Sequence, residues 1–197
     1  MFIQVIQGRC TRQDELRSVL DRWHKELAAG ADGWLGGTYG FTDDDQFVAV
    51  VRFENQAAAA ANSQRPEQGQ WAEQMTAAFD GPVEFHDSDD VTLLFDGGSD
   101  DAGFVQVIRG KVDDPERLRR LIASEPTELR QMRPDIIGAT LAIEPDGSFT
   151  ETVAFRDEAS ARSGEGQEPP ADVRAELDYA MQGATFYDLH HPWFSSR

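Results

Sequence analysis

Four histidines, one cysteine and a few polar groups set among aromatics are the side chains of this 197-residue chain best suited to chemistry. His86 stands directly before Asp87. A carboxylate beside an imidazole is the pairing that orients a general base near neutral pH, so His86 is a catalytic candidate; a solvated strand-end histidine is the plainer reading. His190 and His191 are neighbours, and neighbours on a strand point to opposite faces, so they cannot both hold one ion there. No Cys/His spacing resembles a zinc site, and no metal or other cofactor is expected. Cys10 has no evident activating base, which argues against a nucleophilic thiol. A single thiol makes no internal disulfide and fits a reducing compartment.

The remaining candidates lie in the N-terminal half. Alternation along 47–53 sets Phe47, Ala49, Val51 and Phe53 on one face and Val48, Val50 and Arg52 on the other. Arg52 either holds an anionic ligand there, pairs with one of the 36 acidic residues, or lies at the strand end in water. Trp71, Met75 and Phe79 recur at helical spacing, a pattern that serves a packed core and a pocket wall alike. Asn62 and Arg65 fall in a loop that either closes over a cavity mouth or serves turn chemistry. If a pocket exists, it is expected between sheet and helices of the first half, lined by Trp34, Tyr39, Trp71 and Phe79, with Arg52 as a further substrate-binding candidate.

The elements that would position these groups come from a repeat. FIQVIQG beginning at Phe2 returns as FVQVIRG beginning at Phe104, and at that fixed offset Leu16 meets Leu118, Gly36 meets Gly138, Phe47 meets Phe149, and Phe53 meets Phe155. The chain therefore reads as a first repeat over 1–95, a polar linker over 96–103 and a second repeat over 104–197. Within a repeat the order is a strand, an amphipathic helix (Asp14 to Ala29, with Leu16, Val19, Leu20, Trp23 and Leu27 inward) and a hairpin (Trp34 to Phe41, Phe47 to Phe53). An Ala-rich helix, a helix starting near Pro66, and a last strand with an extension (Val83 to Phe85, Val91 to Phe95) follow. In the second repeat Pro126 predicts a break near Glu125, because proline inside a helix costs roughly 3 kcal/mol. This is the split βαβ, ferredoxin-like order, class α+β. A lone copy would leave one sheet face bare, so the two repeats are expected to pack sheet to sheet as an intramolecular dimeric α/β barrel. Gln4 and Gln106, equivalent in the two first strands, serve either structural pairing or polar recognition.

Charge narrows the partners. Thirty-six acidic against 18 basic residues give a net charge of -18 and a pI near 4.4, which repels nucleic acid and an anionic membrane face. No stretch suits a bilayer span or a leader, so the chain reads as cytoplasmic. Its partner is expected to be a small apolar or aromatic molecule, and its state a monomeric pseudo-dimer or a homodimer of that unit.

The element order, the duplicated opening and the segment from Asn62 to Phe79 together resemble the dimeric α/β-barrel superfamily, in particular proteins similar to the antibiotic biosynthesis monooxygenases. The resemblance implies a cofactor-independent monooxygenase or related enzyme acting on a small apolar or aromatic metabolite; members similar to those monooxygenases oxidise electron-rich polycyclic phenols with dioxygen, the substrate's own carbanion supplying electrons. Such a reaction needs an apolar cavity, help with deprotonation and donors for the oxyanion. That family uses Asn and Trp, among other residues, and Asn62 and Trp71 lie in the corresponding part of this chain, which makes both catalytic candidates. The rival is a non-catalytic small-molecule-binding or interaction protein of the same fold. The haem-degrading branch needs a histidine on the helix between Arg65 and Phe79, and none stands there.

Overall fold

A computed structural model describes residues 1–95, 97–123, 130–167 and 171–196. The chain divides into two compact units, one of Met1–Asp89 with Trp193–Arg197, the other of Asp90–Pro192.

In the first unit β1 (Phe2–Arg9), β2 (Trp34–Phe41), β3 (Gln46–Phe53) and β4 (Glu84–Ser88) carry α1 (Gln13–Glu26), α2 (Gln56–Ser63) and α3 (Pro66–Ala77). The second unit contains β5 (Asp90–Leu94), β6 (Phe104–Lys111), α4 (Pro115–Ala123), β7 (Ile136–Ile143), β8 (Ser148–Phe155), α5 (Glu158–Glu165), α6 (Ala171–Met181) and β9 (Thr185–Leu189), and β10 (Trp193–Ser196) closes the chain. Both sheets are antiparallel, in the orders β10-β2-β3-β1-β4 and β5-β7-β8-β6-β9. Four strands of each have the ferredoxin-like arrangement, so the α+β class expected from the repeat is the one observed.

The repeat holds residue by residue. Phe2 pairs with Phe53 and Phe104 with Phe155; the hairpin ladders shift register between Trp34 and Gly36, and again between Ile136 and Gly138. Asn55 caps α2 by accepting from the Ala58 amide, and Asp157 caps α5 by accepting from that of Ser160. Sequence repeat and compact unit differ at the edges. The segment expected to extend the first repeat becomes β5 and pairs with β7, whereas β10, at the end of the second repeat, pairs with β2. A tail strand follows the sheet edge that offers it partners, not the repeat that precedes it.

In unit one α1 buries Leu16, Val19 and Trp23 against the sheet, with Ile6, Phe47, Met75 and Phe79 in one cluster and Phe2, Trp34, Phe53 and Ala59 in another. Each such large side chain contributes roughly 1.5–3 kcal/mol when fully removed from water. In unit two Ile108, Leu118, Leu141 and Phe149 form the matching core. The break expected near Glu125 and Pro126 lies outside the described residues.

Candidate functional sites

Between sheet and helices of the first unit lies a cavity of about 180 Å³. The inner face of β3 (Phe47, Ala49, Val51, Phe53) forms its floor, and all four tryptophans of the chain, Trp23, Trp34, Trp71 and Trp193, wall it. Trp23 meets Trp34 edge-on with centroids 5.1 Å apart and tilts on Trp71 at 6.0 Å. Two of the indoles are anchored: Trp23 donates to Gln68 Oε1 at 2.6 Å and Trp71 to the Val19 carbonyl at 2.9 Å. The buried Trp34 Nε1 has no hydrogen-bond partner among the described residues. Leaving such a donor unpaired costs about 1–3 kcal/mol.

Tyr39 stacks on Trp193 at 5.7 Å, and burial pushes its hydroxyl up to about 12, against the opposing pull of Arg52 and a hydrogen bond with Ser195. Near neutral pH it is a donor, not a base. Its ring needs Gly37, where a Cβ would overlap the hydroxyl. Asn62 lies on α2 and not in the expected loop; it is buried at the cavity edge, and its Oδ1 accepts from Arg65 Nη1 at 2.9 Å, while Arg65 also reaches the Leu27 carbonyl at 3.2 Å. Asp21 and His24, one turn apart on α1, are exposed and sit at the rim, with the His24 ring 5.9 Å from that of Trp34.

The structure thus brings Trp34, Tyr39, Asn62 and Trp71 around one space, and it sets Arg52, Phe79 and His86 elsewhere. Arg52 lies on the other face of β3, where it donates to Thr38 Oγ1 at 3.3 Å. Phe79 packs edge-on against Phe47 within the core, 5.8 Å between centroids. Phe85 of β4 reaches the cavity, so by alternation its neighbour His86 points away, with Nε2 3.4 Å from Glu84 Oε2. Asp87, the orienting partner expected from the sequence, instead accepts from Gln4 Nε2 at 2.9 Å. Cys10 is fully buried and its thiol is pushed up by desolvation, which keeps it protonated.

The second unit holds a larger cavity, about 610 Å³, in the equivalent place. Where unit one has Trp34, Tyr39 and Ala49, unit two has Ile136, Leu141 and Glu151. Aliphatic side chains leave space that the indoles fill. Glu151 sits on β8 with Ile108 and Leu141 as its cross-strand neighbours. It is half-buried and lines the cavity, and desolvation pushes its carboxyl up to about 7 in spite of the Arg133 charge. Neither Glu151 nor Trp193 stood out in the sequence, although a glutamate on the inward alternation of an apolar strand was there to be read.

No family model matches the chain, and no curated protein matches it. Solved structures do. A candidate monooxygenase from Fusobacterium nucleatum subsp. nucleatum is 11% identical and covers 100% of this chain and 94% of its own, with a TM-score of 0.77. One from Lactobacillus acidophilus NCFM is 13% identical, covers 95% and 92%, and has a TM-score of 0.70. An anthrone oxidase-like protein is 9% identical, covers 100% and 94%, and has a TM-score of 0.68. At these identities the likeness is one of fold, and over nearly the full length it is the duplicated ferredoxin-like fold that is shared.

Proposed function

We propose that the first-unit cavity takes up a small electron-rich aromatic molecule and that the protein oxidises it with dioxygen, as a cofactor-independent monooxygenase acting on a one-ring phenol. The observation carrying this reading is the space of about 180 Å³ walled by four tryptophans. An engineered apolar cavity of about 150 Å³ binds benzene, so this one suits a single ring, and a fused tricycle is too large for it. Aromatic walls favour stacking on a planar ligand. His24, at the rim, takes the phenolic proton; Tyr39, kept protonated, and the unpaired Trp34 Nε1 are donors for the phenolate oxygen. Electrons pass from the phenolate to oxygen. With a free para position the products are a quinone and water: one oxygen atom enters the ring and the other leaves as water, so no outside reductant is needed.

Oxygen uptake with 2-methoxyphenol tests this, and His24→Ala and Tyr39→Phe are each expected to slow it at least tenfold. A rate equal to buffer, or one that both variants leave unchanged, refutes the enzymatic reading. Non-catalytic binding in the same cavity is the second reading, favoured by Asn62 Oδ1 being already occupied by Arg65. It predicts quenching of tryptophan fluorescence by 2-methoxyphenol with no oxygen consumed.

A further inference from the structure

The inner face of β8 carries one residue out of keeping with its surroundings. Glu151 lies between Ile108 and Leu141 across the ladder, where the equivalent position of unit one is Ala49. A carboxylate in an apolar setting is costly unless it is paired. The other charged groups lining the cavity are already partnered. Arg133 from the turn before β7 reaches Asp135 at 2.8 Å; Arg162 of α5 bridges Glu165 at 3.1 Å and Asp188 of β9; Gln106 of β6 donates to Asp188 at 2.8 Å. The lining residues of α4 and α6, such as Leu118 and Leu177, are apolar. Glu151 has no hydrogen bond among the described residues, and Arg133 is the charge that acts on it. The cavity, at about 610 Å³, falls in the range of small-molecule sites and exceeds a single ring several-fold.

An unpaired base that shares apolar cavity walls with a guanidinium is arranged to take a proton and to offset the negative charge left behind. The apolar walls disfavour a charged ligand, which argues for a neutral weak acid. We propose that this cavity is an acid–base site in which Glu151 removes a proton from the carbon next to the carbonyl of an apolar ketone, while Arg133 offsets the charge developing on the carbonyl oxygen. The C–H bond breaks, its proton goes to a carboxylate oxygen of Glu151, and its electron pair enters the enolate. Return of the proton to the same or a conjugated carbon regenerates the carboxylate, so exchange or isomerisation results with no oxidant or cofactor. The site is separate from the first-unit cavity and does not depend on the oxidation proposed there.

The full chain incubated in deuterium oxide with 2-tetralone, a bicyclic ketone with acidic α-protons, tests it by proton NMR. The expected result is loss of the α-CH signal at a rate that saturates with ketone and levels off above pH 7, where hydroxide-catalysed exchange keeps rising tenfold per unit. Glu151→Gln is expected to lower the rate at least 100-fold, the lower end of general-base contributions, and Glu151→Asp to retain part of it. Circular dichroism confirms that the variants fold. In protein labelled with 13C at glutamate carboxyls, the resonance missing from Glu151→Gln should move when 2-tetralone is added. Equal exchange in wild type and Glu151→Gln, exchange no faster than buffer, or a Glu151 resonance indifferent to the ketone each overturns the proposal.

Discussion

Replacing Glu151 by glutamine should make the protein more stable, and only above a definite pH. Burial pushes the carboxyl up to about 7 from an ordinary value of 4.5. Between those two values the native state binds more protons than the unfolded chain, so stability falls as pH rises through the window and is flat on either side of it. At about 1.4 kcal/mol per pH unit, the ionised carboxylate costs about 3 kcal/mol once the pH has passed 7. Glutamine keeps the shape and cannot ionise. Urea unfolding of both proteins by circular dichroism from pH 4 to 8 gives a difference curve in which the other titrating groups, such as Asp146 and Glu158 with their lowered values, cancel. The curves should coincide near pH 4 and separate to about 3 kcal/mol in favour of glutamine by pH 8. Parallel curves, or a less stable glutamine variant at pH 8, would refute the burial of an unpaired carboxylate.

Two further outcomes follow from the first unit. Gly37→Ala forces a methyl onto the Tyr39 hydroxyl, so stability should drop by about 1–3 kcal/mol in thermal unfolding, and an unchanged Tm contradicts the close approach. Trp193→Ala removes the ring on which Tyr39 stacks and the contacts of β10 with Phe41 and Phe47, at an expected cost of about 2–3 kcal/mol by urea unfolding. No loss would mean that β10 adds nothing to the first unit.

Much of the architecture was legible because buried alternation leaves a trace. Phe47, Ala49, Val51 and Phe53 share the cavity face of β3, as alternation requires, and the pairs Gly36/Gly138 and Phe53/Phe155 mark matching ladder positions. The edge-strand exchange was not legible, since pairing β10 with β2 is a non-local choice that leaves no mark around Trp193. Asn62, Trp34, Tyr39 and Trp71 do gather around one space, whereas Arg52 and His86 alternate away from it. The aromatics place the expected pocket in the first unit, yet the roomier cavity sits in the second. Indoles consume the space they line, and Ile136, where the first unit has Trp34, leaves it open.

The most direct test of the central claim, a single-ring aromatic site enclosed by the tryptophans of the first unit, is a crystal structure determined with 2-methoxyphenol. The ring should appear among Trp23, Trp34 and Trp71 with its hydroxyl toward Tyr39 or Trp34 Nε1. Density for the ligand confined to other places, or indoles closed on one another with no room between them, would contradict it.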